Sequence, residues 1–168
     1  MIYIAYNRLG SPGMSVQANS VEDRLLKLQL RLAQLEKQES CRENFLDFVG
    51  TMWPDFISGR HHRIIAEKLE RVARGELKRL IINMAPRHTK SEFASFLFPA
   101  WMMGKNPSMK IIQATHTTEL AVNFGRKTKN LIDSDEFKTV FPEVKLAADS
   151  KASGRWDTSR GGMYYAVG

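Results

Sequence analysis

The sequence predicts an α/β fold, a mainly parallel sheet flanked by helices, with an amino-terminal helical arm. Three observations predict it. The apolar run Leu80-Ile81-Ile82 leads into a polar loop and then an apolar-faced helix. A second run, Lys110-Ile111-Ile112-Gln113-Ala114, leads into another helical stretch. From residue 20 to Gly75 the apolar residues recur at helical spacing. The order strand, loop, helix, strand, helix describes a βαβ unit, and such units build parallel sheets.

The arm comes first. Residues 20–39 read as a helix with Ser20 as N-cap and Glu22 and Asp23 in the first turn, where acids suit the helix dipole. Val21, Leu25, Leu28, Leu32 and Leu35 alternate four and three apart, which is heptad spacing over about two heptads. That run is short for a coiled coil, so an amphipathic helix packed on its own domain is preferred to an oligomerising arm. A second helix over 42–53 carries Phe45, Phe48, Val49 and Met52 on one side and stops at Pro54. A third, over 61–74, faces the core with Ile65, Leu69, Val72 and Ala73, and Gly75 suits its C-terminal cap.

After the first strand and its loop, a helix bearing Phe93, Leu97, Ala100 and Trp101 is bent or broken by Pro99 and ends near Gly104. Thr117 caps a long helix on which Leu120, Phe124 and Leu131 align, and a short helix covers 135–140 before Pro142. Residues 155–158 and 163–167 flank Ser159-Arg160-Gly161-Gly162 and read as a hairpin. The domain plan is a flexible leader over 1–19, amino-terminal helices over 20–53 and a partial α/β domain over 54–168.

Bulk composition fits this plan. Hydrophobic residues are 43% and charged residues 26% of 168, enough apolar content for a packed core. The net charge of +7 suits a polyanionic partner and also an ordinary basic protein. The single cysteine, Cys41, excludes an internal disulfide and reads as a semi-buried thiol. No apolar run approaches the roughly 18 residues of a membrane span. The start, residues 1–9, is apolar without a basic leader or cleavage site, so no signal peptide is read there. Gly10-Ser11-Pro12-Gly13 is linker-like, and Met14 is a second plausible start.

The chemistry sits in Met84-Ala85-Pro86-Arg87-His88-Thr89-Lys90-Ser91. This octet has the length of the phosphate-binding pattern G-x-x-x-x-G-K-[ST], follows a strand and opens a helix. Such a loop wraps backbone N–H groups around phosphate oxygens, sends a lysine to the β/γ-phosphates and offers a hydroxyl to Mg²⁺. The helix N-terminus adds its dipole. Met84 and Thr89 stand where the pattern has glycine, and threonine disfavours the positive φ that glycine adopts freely. The residues alone leave two readings open, a P-loop NTPase-type nucleotide site and a basic βα turn with no ligand.

Residues 53–168 resemble the amino-terminal ATPase region of the large terminases of tailed phages. The resemblance rests on His61-His62-Arg63-Ile64-Ile65-Ala66-Glu67-Lys68-Leu69-Glu70 and on Arg79-Leu80-Ile81-Ile82-Asn83-Met84-Ala85-Pro86-Arg87-His88-Thr89-Lys90-Ser91-Glu92. It continues in Phe98-Pro99-Ala100-Trp101, Phe124-Gly125-Arg126, and Trp156-Asp157-Thr158 before Gly161-Gly162. A Pro-Arg-His-Gly/Thr-Lys-Ser loop is typical of one terminase group. The resemblance implies an ATP-driven viral DNA-packaging motor. ATP and Mg²⁺ would be the cofactors, and Lys90 and Arg87 the catalytic residues. The octet 84–91 would bind the nucleotide, with Ser91 on Mg²⁺. Implied partners are double-stranded DNA, the portal protein, the small terminase subunit and further copies of the chain on the procapsid, in the host cytoplasm and without a membrane.

In that family an acidic Walker B strand follows the Trp-Asp-Thr hairpin. No apolar strand ending in paired acids occurs here, so the sequence reads as an incomplete domain, without the nuclease region and without efficient ATP turnover of its own. Asp133, Asp135 and Glu136 lie at a helix junction and read as solvated surface. A truncated, non-catalytic module that binds nucleotide or protein is one alternative reading, and another helicase-like ATPase is a second.

Other residues weigh less. His61 and His62 point about 100° apart on a helix and suit a helix start better than a shared metal ion. Trp53, Phe56, His61 and His62 are adenine-contact candidates by analogy with related ATPases, although Trp53 and Phe56 read better as core. Residues 60–91 hold nine lysines and arginines against three acids, a patch that suits DNA phosphates or a solvated helix face. Arg126, Lys127 and Lys129 form a similar patch, and Thr115-His116 is a weaker nucleic-acid candidate.

Overall fold

A computed structural model describes residues 13–150 and 152–168. Of the leader expected over 1–19, residues 1–12 lie outside the described residues. The chain divides into two units, Met1–Lys37 and Gln38–Gly168.

Helix α1 runs Gly13–Glu43, longer than the sequence predicts. Ser20 is therefore inside the helix and not its N-cap, because Ser20 does not interrupt a helix that neighbouring residues continue. On this helix Val21, Leu25, Leu28, Leu32 and Leu35 are all at least 45% exposed.

The second unit is mixed α/β. Asn44 breaks the helix and caps α2, Phe45–Met52, by accepting from the Asp47 N–H at 3.0 Å. Phe45 is the hub of the helical core, with the rings of Phe93, Phe98 and Trp101 all within 5.7 Å between centroids. Full burial of one such ring is worth about 1.5–3 kcal/mol. Helix α3, Arg60–Ala73, buries Ile65, Ala66 and Leu69 against α2 and ends at Gly75, whose φ of 76° is the left-handed cap expected from glycine.

The helix after the loop is not regular. It opens at Lys90, widens into a π-helix over Glu92–Leu97 and continues as α4, Phe98–Lys105, with Pro99 in its first turn. The bend assigned to Pro99 is thus a change of helix type one turn earlier, and Pro99 fits where its missing N–H costs nothing. Phe93, Leu97, Ala100 and Trp101 are all buried as predicted.

Strand β1, Lys110–Ala114, is followed by α5, Thr118–Asp133, and α6, Asp135–Val140. The hairpin strands β2, Arg155–Asp157, and β3, Met163–Val167, pair antiparallel, and β3 pairs parallel with β1 in the order β1-β3-β2. Thr117 caps α5 as expected, accepting from the Leu120 N–H at 3.3 Å. The buried face of α5 is Ala121, Gly125, Thr128 and Ile132, not the Leu120 face, which is 43% exposed at Leu120. Gly125 explains the choice: a Cβ there would sit 2.5 Å from the Ser153 carbonyl oxygen and 3.1 Å from the Tyr164 ring. Its own carbonyl accepts from Trp156 Nε1 at 3.1 Å, and Trp156 stacks on Tyr164 at 5.0 Å.

The predicted first strand is different. Leu80-Ile81-Ile82 belongs to no strand among the described residues. Residues 80–84 still alternate, with Leu80, Ile82 and Met84 against the core and Ile81 93% exposed. The apolar run specified which face turns inward, whereas a ladder needs a neighbouring strand, and the parallel neighbour of β1 is β3.

Candidate functional site

The octet 84–91 lies between the extended segment and the helix that begins at Lys90. Two of its residues hold left-handed backbone, Arg87 with φ 63° and Thr89 with φ 59°. Thr89 occupies the pattern's second glycine position and takes the conformation that glycine adopts freely. Left-handed backbone costs a non-glycine residue about 1–2 kcal/mol, comparable with the roughly 0.5–1.5 kcal/mol net of one hydrogen bond. The local bonds therefore decide whether the conformation holds.

Those bonds are present. Thr89 Oγ1 donates to the His88 carbonyl at 2.7 Å. His88 Nδ1 donates to the Pro86 carbonyl at 2.9 Å. The Phe93 N–H donates to the Thr89 carbonyl at 3.0 Å and ties the loop to the first helical turn. Lys90 Nζ turns back and donates to the Met84 carbonyl at 3.2 Å, so the cation lies across the mouth of the loop. Ala85, Pro86, Arg87, His88 and Ser91 are exposed, and the Arg87 side chain has no ion pair among the described residues. Glu92 is held by Lys127 of α5 at 3.1 Å.

One member of the site was not assigned to the loop from sequence. His62, 6% exposed on α3, has its Nε2 2.7 Å from Thr89 Oγ1. Its Nδ1 accepts from the Gly59 N–H at 2.9 Å, the helix-start role expected of this pair of histidines. Phe56 and Phe93 enclose the ring, which stacks on Phe93 at 5.1 Å. Burial, with His61 beside it, holds the His62 pKa below the usual histidine value. Both ring nitrogens are engaged, so His62 is not free to meet an adenine, whereas Trp53 and Phe56 pack on the core. The spacing Gly59-x-x-His62 was the available signal, since a residue three positions into a helix can reach back to the cap.

Among the described residues no group of three His, Cys, Asp or Glu side chains is placed to hold a metal ion. Asp133, Asp135 and Glu136 are exposed around Ser134, which caps α6. The basic patches differ from each other. Arg60, Arg63, Lys78 and Arg79 are exposed and outside every ion pair among the described residues. Arg126, Lys127 and Lys129 are bonded to Asn123, Glu92 and the Ser150 carbonyl. Cys41 is buried, with Sγ 3.2 Å from Thr51 Oγ1.

Compared with family models, with curated proteins and with solved structures, the chain shows no match.

Proposed function

We propose that residues 84–91 form a P-loop NTPase-type phosphate cradle and that the chain is the ATP-binding part of a viral DNA-packaging motor, the large terminase subunit. The observation that carries the cradle is Thr89: a β-branched residue with φ 59° at the glycine position, directly before Lys90 opens a helix. Backbone so curled, at a helix N-terminus, suits an anion.

In this reading the N–H groups of His88, Thr89 and Lys90 donate to the phosphates of ATP. Lys90 would leave the Met84 carbonyl for the β/γ-phosphates, Arg87 would reach the γ-phosphate, and the Ser91 hydroxyl would ligate Mg²⁺. Bound MgATP would supply a phosphoanhydride whose γ-phosphoryl group passes to water as the β–γ bond breaks, a transfer that needs positioning and charge neutralisation, to which Lys90 and Arg87 would contribute. The motor assignment rests on the sequence resemblance, and the free cations Arg60, Arg63, Lys78 and Arg79 support double-stranded DNA as partner. Portal protein, small terminase subunit, further copies on the procapsid and the host cytoplasm belong to the same reading.

Calorimetric titration with MgATPγS tests the cradle. The chain binds, Lys90→Ala loses at least about tenfold in affinity, the equivalent of about 1.4 kcal/mol, and Ser91→Ala loses the contribution of Mg²⁺. Equal affinity in the chain and Lys90→Ala overturns the reading.

A further inference from the structure

We infer that His62 is a positioning residue that holds Thr89 in the left-handed conformation, doing for this loop what glycine does by lacking a side chain. The inference rests on the phosphate-cradle reading.

The direction of each bond is fixed by what each atom can do. The Gly59 N–H only donates, so His62 Nδ1 is the unprotonated, accepting nitrogen. The proton of the neutral ring is then on Nε2, which donates to Thr89 Oγ1 at 2.7 Å. The His88 carbonyl only accepts, so the Thr89 hydroxyl passes its own proton there. The chain of donors runs one way, from Gly59 through His62 and Thr89 to His88, and the Thr89 hydroxyl both accepts and donates.

That places a bond on each side of the strained residue. One ties Thr89 to its own loop, and the other ties it to α3, 27 positions away in sequence. The anchor is stiff: His62 is 6% exposed, is pinned by Gly59 and lies between Phe56 and Phe93. The Phe93 N–H also donates to the Thr89 carbonyl. Rotation of Thr89 out of the left-handed region would withdraw its hydroxyl from the buried Nε2 donor of His62, which disfavours that rotation. A glycine at 89 needs no anchor, and a threonine does.

The test is a set of substitutions in the full chain, read by MgATPγS affinity and by histidine ring ¹⁵N shifts. Thr89→Val keeps the shape and removes the hydroxyl; it and His62→Ala each weaken binding about tenfold, the scale of one lost hydrogen bond. The double variant is no weaker than the worse single one. Thr89→Gly in the His62→Ala background recovers affinity, which a general loss of stability would not permit. Single losses that multiply, or no recovery with Thr89→Gly, overturn the inference. The ring shifts stand without nucleotide: His62 protonated on Nε2, with that nitrogen moving in Thr89→Val, supports the anchor, and an Nδ1-protonated ring overturns it even if His62→Ala fails to fold. A chain with these shifts that binds no nucleotide refutes the cradle reading and leaves the His62–Thr89 bond standing.

Discussion

His62 Nε2, buried on α3, lies 2.7 Å from Oγ1 of Thr89, the residue at the glycine position of the loop. This bond joins α3 to the loop proposed to hold phosphate. It also makes the loop sensitive to the charge on one imidazole.

The first prediction is a pH dependence. The folded pKa of His62 is lowered, first by burial and then by His61 beside it, so folding favours the neutral ring. The groups that face the ring are His61, the Gly59 N–H, the Thr89 hydroxyl and the apolar rings of Phe56 and Phe93, and among the described residues no carboxylate acts on its charge. The unfolded chain therefore binds a proton first as pH falls. This contribution is complete above about pH 6.5 and is lost as pH drops from there through the lower folded value. Thermal denaturation between about pH 7.5 and pH 5 measures it. His62→Gln has a flatter dependence than the unsubstituted chain, and an equally steep one contradicts the assignment.

The second prediction concerns the hairpin. A Cβ at Gly125 meets the Ser153 carbonyl oxygen at 2.5 Å, and that atom is backbone, so relief requires the segment around 153 to move. Gly125→Ala loses about 1–3 kcal/mol, the usual cost of overpacking, read from the midpoint of urea unfolding. The helix-favouring gain of about 1 kcal/mol from replacing glycine with alanine is outweighed. A variant as stable as the parent contradicts this packing.

These two sites show what the sequence carried. The helix α3, the strand Lys110–Ala114, the Thr117 cap and the hairpin were legible because each is specified by local spacing, a cap or a turn. The buried face of α5 was not, because Ala121, Gly125 and Thr128 contribute little to an apolar pattern and were chosen by close approach to Ser153 and Tyr164. Leu80-Ile81-Ile82 showed its inward face but not its lack of a ladder, which depends on residues far along the chain. At the candidate site, the loop before the helix and the helix start at Lys90 were readable. The His62 bond was not, since it spans two elements and its histidine also serves an ordinary helix-start role.

Whether the backbone of this octet holds phosphate is read from the amide ¹H–¹⁵N shifts of residues 87–91 during titration with magnesium triphosphate, with adenosine as control. Saturable shifts at His88, Thr89 and Lys90 are expected with triphosphate, absent with adenosine and lost in Lys90→Ala. Unchanged amides at saturating triphosphate would contradict the phosphate-cradle reading.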